Sequence, residues 1–386
     1  MKILFISAGD DKYGAPRSLM ELMIELKNEH QIEPILLTKK YNLLNKQCTE
    51  IGIENHSMWY ADIMAGASYN SKVMRIIKHI VKYSLYILGK FSELNIERCG
   101  INFNEIDIVH TNLNVVGIGS VISKKYNIPH VWHLRVFGKE DYNVVHYKRN
   151  CYEYMNHHAD RFITISKGVE QAWCKNGISK EKTCLIYNGI VPEKFPVKVW
   201  KEKQEMKIVM VGHIQPKKGQ IQLIEALKLL PSEVCSNIKV DFIGEPYREY
   251  YEEIKKSLEE CSIKENIQFI GYVENVNSIL KDYDIGVNCS MAEGFGRITV
   301  EYMAAKLLVI ASDTGANPEI IENNQHGLLF KYGDVKDLAR KIEFAYFNRD
   351  RIEELADNGF KRVNKEFTVK KTAERVMDVY REIVKK

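Results

Sequence analysis

Short apolar runs alternate with amphipathic stretches along this chain, and the pattern runs through twice. The first series of strand-like runs comprises residues 3–7, 35–37, 108–110, 130–133 and 162–165. The second comprises residues 207–211, 240–243, 267–270, 285–288 and 308–311. Helix-like segments lie between them, at 18–29, 221–230 and 339–348. Strands of that length alternating with helices pack as parallel sheets covered on both faces. A chain of 386 residues exceeds one ordinary core. The expectation is therefore an α/β protein of two Rossmann-like, doubly wound parallel-sheet domains, at 1–195 and 206–368. A lysine-rich stretch, 194–205, holds Pro196, lacks apolar periodicity and reads as the linker. Residues 369–386 carry a helical apolar pattern through Ala373, Val376, Met377, Val379, Tyr380 and Ile383.

Composition narrows the class. Hydrophobic residues at 45% and charged residues at 27% are globular values, and no apolar run approaches the roughly 18 residues of a membrane span. The opening apolar run is short and is followed by Asp10-Asp11, which reads as a first strand of a cytoplasmic protein and not as a secretion signal. Eight cysteines without a Cys-x-x-Cys pair suggest reduced thiols, with neither disulfides nor zinc. Residues 1–200 hold 26 Lys/Arg against 20 Asp/Glu, and the remainder 29 against 31. The basic first half points to an anionic partner; nothing in the sequence suggests nucleic acid.

In open parallel sheets ligands bind beyond the carboxyl ends of strands, so a motif counts where it follows one. Residues 290–301, Ser-Met-Ala-Glu-Gly-Phe-Gly-Arg-Ile-Thr-Val-Glu, read as strand, tight turn and helix. Gly294 and Gly296 let the backbone approach a ligand closely. If the helix begins near Arg297, its free N–H groups suit phosphate oxygens. Glu293 and Glu301 then face one cleft. Carboxylates repel phosphate, so their use beside it is to accept hydrogen bonds from sugar hydroxyls. The turn suits a phosphate joined to sugars, which describes a nucleotide sugar.

Residues 211–219, Val-Gly-His-Ile-Gln-Pro-Lys-Lys-Gly, also join a strand to a helix. Gly212 permits close approach, and Lys218 brings an ammonium to a helix start suited to anions. In the first half, His133 ends the strand of 127–135, Arg135 enters the loop 136–142, and Gly14 to Ser18 lie between strand one and a helix over 19–26. Each has a plainer reading: solvated turn carboxylate, exposed lysine, core histidine or surface arginine. Asp282-Tyr-Asp284 precedes a strand, the wrong end for a metal site. Gly117-Ile-Gly lacks the third glycine of a dinucleotide fingerprint.

The Glu293–Glu301 spacing resembles the Glu-x7-Glu motif of the retaining family-4 glycosyltransferases, which have the GT-B fold of two Rossmann-like domains facing a central cleft. Residues 312–321 and 326–330 are similar to that family's next two blocks, and so are 186–190 and 211–219. The resemblance implies that Glu301 holds ribose hydroxyls and Glu293 those of the transferred sugar. It also implies that the amides of Gly294, Phe295, Gly296, Arg297, Ile298 and Thr299 approach the sugar and diphosphate, with His133 near the reacting sugar. Arg135 becomes a cationic contact to the acceptor. Gly14 and Arg17 resemble a Gly-Gly-x-x-Arg turn with alanine at the second glycine. His213 stands where the family has arginine and cannot make a bidentate phosphate contact, so either Lys218 carries more of the charge or His213 becomes protonated beside the phosphates.

The resemblance further implies that the terminal helix crosses back to the first domain and that no cofactor or metal is needed. The expected function is retaining transfer of a hexose or N-acetylhexosamine from a nucleoside-diphosphate sugar, UDP before GDP, to a glycan or lipid-linked acceptor in polysaccharide synthesis. A sugar-nucleotide epimerase and a non-catalytic binding protein are the rivals. Residues 71–91 form a basic amphipathic helix: Lys72, Arg75, Lys78 and Lys82 share a face. It either lies in a lipid interface at the inner side of a membrane or packs its apolar residues on the first sheet.

Overall fold

The computed structural model of the protein describes residues 1–8, 14–65, 72–138, 145–201, 205–259 and 263–385, with the backbone alone at 72–75. Asp10-Asp11, Ser71, residues 139–142 of the loop after Arg135 and residues 202–204 lie outside the described residues, as do the side chains of Lys72 and Arg75. The chain divides into two compact units, Met1–Gly189 with Val369–Lys386, and Ile190–Thr368. Both are doubly wound α/β domains.

The first unit contains β1 (Lys2–Ser7), β2 (Glu33–Thr38), β3 (Glu54–Ser57), β4 (Met64–Ala65), β5 (Ile108–Asn112), β6 (His130–Leu134), β7 (Val145–His146), β8 (Arg161–Thr164) and β9 (Thr183–Leu185). Seven of these form one sheet in the order β3-β2-β1-β5-β6-β8-β9, while β4 and β7 make a separate antiparallel pair. Neighbours in the large sheet run parallel. Their apolar runs are buried on both faces, as β5 and β6 are throughout. The second unit contains β10 (Met206–Val211), β11 (Ile238–Ile243), β12 (Ile267–Gly271), β13 (Ile285–Asn288), β14 (Leu308–Ser312) and β15 (Leu328–Phe330). These form a parallel sheet in the order β12-β11-β10-β13-β14-β15. Strand order reverses between β1 and β5 in one sheet and between β10 and β13 in the other, the places where such sheets open to ligands.

The terminal helix Val369–Val384 belongs to the first unit. Ala373, Val376, Met377, Tyr380 and Ile383 join one core with Ile3, Phe5 and the helix Gly14–His30. Burial of each of the valine, methionine and isoleucine side chains among these contributes roughly 1.5–3 kcal/mol.

Three expectations change. The first helix begins at Gly14, not near Leu19, because Pro16 fits a first turn that needs no N–H from it. The helix after β10 is Gln220–Leu227, shorter than expected; the chain leaves it at Lys228, ahead of Pro231. The lysine-rich stretch packs on the second unit. Lys198 is buried in a 2.9 Å ion pair with Asp284, and its N–H donates to Ala305. Asp284 also accepts the Lys207 N–H at 2.7 Å, so it is structural, while Asp282 is exposed ahead of the strand, as expected.

The helix Lys72–Glu93 departs most from the packed reading. It touches the unit through Gly89, where an added Cβ meets Ala61 backbone at 2.5 Å, and through the Glu93 carboxylate, which accepts the Ala61 N–H at 3.1 Å. Ile76, Ile80, Leu88 and Phe91 are 59%, 60%, 58% and 64% exposed. The apolar face looks outward. Among the described residues no helix is long and apolar enough to cross a membrane.

Candidate functional site

In the second unit the turn after β13 is held from three sides. Asn288, the last residue of β13, accepts the Ser290 N–H at 3.1 Å through its side-chain oxygen and donates to Thr299 Oγ1 at 2.9 Å. Gly296 sits at φ +75° and opens the helix Arg297–Ala304, which no side chain caps. An added Cβ at Gly296 lies 3.1 Å from Asn317 Oδ1 and 3.3 Å from Thr299 Oγ1, so the turn tolerates no larger residue without moving them. Gly315 (φ +58°) presses on the other side: a Cβ there falls 2.4 Å from Glu293 N. The Ala316 N–H donates to Glu293 O at 2.9 Å.

The turn after β10 lies against this one. Gly212 (φ +144°) and Gly219 (φ +76°) bracket it, and a Cβ at Gly219 meets Cys289 O at 2.4 Å. The Met291 N–H donates to Lys217 O at 3.0 Å. This contact carries Lys218 to Glu293. The two side chains form a close ion pair, 26% and 15% exposed, and Ser290 Oγ donates to the same carboxylate oxygen at 2.7 Å. Burial alone raises the Glu293 carboxyl, but the Lys218 charge and hydrogen bond, with Ser290 and Lys217, hold it below its ordinary value. Buried Glu301 is bridged by Arg297 Nε at 2.8 Å, one helical turn back. Gly294 and Ile298 are half-buried. Phe295 is a core residue, edge-on to Phe367 at 5.9 Å, and Thr299 is buried in the Asn288–Asn317 network. For those two only the backbone remains to meet a ligand. The His213 ring stands edge-on to Tyr247 at 6.3 Å, while its carbonyl accepts from Gln220 at 3.0 Å.

So Gly212, His213, Lys218, Glu293, Gly294, Phe295, Gly296, Arg297, Ile298, Thr299 and Glu301 lie together beyond the carboxyl ends of β10 and β13. Gly14, Arg17, His133 and Arg135 lie in the first unit. Gly14 is exposed at the start of its helix, where Arg17 pairs with buried Glu21 at 3.6 Å. His133 is fully buried at the end of β6, and its neighbour Arg135 is buried too, against the reading of a surface arginine. Arg135 Nε donates to Asn112 Oδ1, Nη1 to Asn188 Oδ1 at 2.6 Å and Nη2 to His133 Nδ1 at 3.3 Å. Burial first, then the Arg135 charge, depress the His133 and His110 imidazoles well below their ordinary values.

Sequence reasoning overlooked Asn112, Asn188, His110, Ser290 and Gly315 as parts of these arrangements. Asn188 and Gly315 stand inside blocks whose pattern was visible. For His110 no local signal existed. Among the described residues no three His, Cys, Asp or Glu side chains converge as a metal site would require.

Residues 192–362 match the family model described as glycosyl transferases group 1, and residues 52–194 that of glycosyltransferase family 4. The chain is 27% identical over 343 residues to the uncharacterized glycosyltransferase MJ1178 of Methanocaldococcus jannaschii, covering 86% of this chain and 90% of that one. It is 24% identical over 326 residues to the capsular polysaccharide biosynthesis glycosyltransferase CapH of Staphylococcus aureus, 83% of each. The fold matches that of Alr3699/HepE from Anabaena, crystallised with UDP, at TM-score 0.81 and 18% identity over 99% of this chain and 100% of the other. Crystals of that protein with UDP-glucose match at TM-score 0.76, with 18% identity and the same coverage.

Proposed function

The chain belongs to the family-4 glycosyltransferases, and from that premise we propose that it moves a hexose or N-acetylhexosamine, with retention at the anomeric carbon, from a nucleoside diphosphate to an acceptor hydroxyl. The observation that carries this reading is the Lys218–Glu293 pair set between two glycine-bracketed turns and an uncapped helix start. In that reading the diphosphate settles on the helix start. Lys218 exchanges Glu293 for a phosphate oxygen, and the freed carboxylate accepts hydroxyl hydrogens of the sugar. Glu301 accepts from the ribose, and His133 hydrogen-bonds the transferred sugar. Gly14 lies near the donor, while Arg17 and Arg135 supply positive charge on the first unit's side.

The anomeric carbon–oxygen bond to the diphosphate breaks as the bond to the acceptor oxygen forms on the same face. The acceptor proton passes to the departing phosphate oxygen. Charge gathers on the leaving group, where Lys218 and the helix amides stabilise it. No metal is assigned a role, and His213, which lacks the guanidinium fork, leaves that charge chiefly to Lys218. UDP is the preferred carrier, since the Anabaena neighbour was crystallised with UDP and UDP-glucose. In that reading the acceptor is a glycan or lipid-linked hydroxyl, and the name of CapH, a glycosyltransferase of capsular polysaccharide biosynthesis, supports a place in polysaccharide synthesis.

The exposed apolar face of the helix Lys72–Glu93, with Lys78 and Lys82 beside it, supports docking to an anionic inner membrane leaflet. Incubation with a panel of UDP- and GDP-sugars and lipid or sugar acceptors tests the activity through nucleoside diphosphate release. An epimer formed from donor alone, or no release, overturns it. Flotation with phosphatidylglycerol vesicles tests the docking: wild type co-migrates, and Ile80→Glu with Leu88→Glu does not. Wild type left at the bottom of the gradient refutes it.

A further inference from the structure

Ser7, Asn112 and His133 are in register across β1, β5 and β6, so their side chains emerge on one face at the carboxyl edge of the first sheet. Each carries a buried polar atom without a partner: Ser7 Oγ, Asn112 Nδ2 and His133 Nε2. Such atoms are rare in folded proteins and call for an explanation.

The other side of His133 is fully engaged. Arg135 has donors only, so its Nη2 contact at 3.3 Å makes His133 Nδ1 an acceptor. His110 Nε2 approaches the same Nδ1 at 3.1 Å and must therefore donate to it. That leaves His110 Nδ1 as an acceptor, and the Tyr380 hydroxyl, 2.6 Å away on the terminal helix, donates to it. The assignment runs in one direction only, from Tyr380 through His110 to His133. A neutral ring that accepts at Nδ1 carries its hydrogen at Nε2.

We infer that Tyr380 and His110 are positioning residues that lock His133 in the Nε2–H tautomer, so that the ring offers a hydrogen-bond donor to an oxygen of the bound sugar. This rests on the proposed transfer reaction for the identity of the ligand, though not for the tautomer. It makes His133 a donor and not a proton acceptor. Depression of both imidazoles by burial and by Arg135 agrees, because it keeps the pair neutral. Tyr380 packs edge-on to His110 at 5.9 Å and the Phe5 ring lies 5.1 Å from it, so the ring that relays the bond is packed among aromatic neighbours.

Imidazole 15N spectra of the unliganded, histidine-labelled protein test this, with His133→Gln assigning the resonance. The expected spectrum shows a neutral Nε2–H ring at His133 from about pH 6 to 8. An Nδ1–H ring, or an imidazolium in that range, overturns the inference even if sugar transfer is found. A His110→Leu variant fills the space but donates nothing, and it should move the His133 Nδ1 signal towards that of a weaker acceptor. His110→Gln, which keeps an N–H, should restore it. With the sugar donor that the panel identifies, His110→Leu should lose about tenfold in kcat, the worth of one neutral hydrogen bond, and His110→Gln should recover most of it. Equal losses in the two variants, with both folded by circular dichroism, also overturn it. A wild-type tautomer as expected in a protein that moves no sugar supports the lock while removing the transfer reaction.

Discussion

Lys218→Met separates what the ion pair does for the fold from what it does for a ligand. Removing one partner of a fully buried pair costs roughly 3–5 kcal/mol, since the other charge stays behind without compensation. Here the ammonium is 26% and the carboxylate 15% exposed, and Ser290 still donates to Glu293 at 2.7 Å. We therefore expect a loss of about 2 kcal/mol at neutral pH, below that range. The sign of the pH dependence follows from Glu293. In the wild type its carboxyl lies below its ordinary value. Its stabilisation is present above the unfolded value of about 4.3 and is lost as pH falls through the lower folded one. In Lys218→Met burial remains without the lysine, the folded value rises above the unfolded one, and the contribution reverses. The difference between variant and wild type should be small once pH falls below the wild-type folded value, open as pH rises through it, and reach its full size by about pH 7. Urea midpoints followed by circular dichroism measure it. Lys218→Met with Glu293→Gln leaves no buried charge and should regain about half of the loss. A difference that stays constant from acid to neutral pH, or a double variant no better than Lys218→Met, refutes the reasoning.

Other outcomes follow from the same geometry. The turnover of Lys218→Met should drop roughly 10²- to 10³-fold with the active donor, the usual effect of removing one preorganised group that stabilises leaving charge; steady-state kinetics will show it. Gly296→Ala places a Cβ at φ +75° against Asn317 and Thr299 and should cost about 1–2 kcal/mol in a thermal unfolding scan. Glu301→Ala should weaken UDP binding about tenfold by calorimetry, and unchanged affinity removes the ribose assignment.

The strands were legible because parallel strands buried on both faces are short continuous apolar runs, as at β1 and β14. The helix start at Arg297 was legible because Gly296 is the kind of residue that holds a left-handed turn ahead of it. Other features lay beyond local pattern. Apolar residues occupy so much of the circumference of Lys72–Glu93 that periodicity could not say which side faces out; the tight seat of Gly89 on Ala61 decides that. Lys198 reads as linker until Asp284, far along the chain, takes its charge. The Arg135 contacts likewise depend on Asn112 and Asn188, brought in by other strands and loops.

The terminal helix has a consequence for biosynthesis. Tyr380 follows His110 by 270 residues, an interval of roughly 15–50 s at ribosomal speeds of about 5–20 residues per second. The second unit is one uninterrupted segment and can fold while translation continues. The first must wait with its Ile3–Phe5 core open until the last helix emerges, which makes it the later of the two to fold and the one a chaperone would hold.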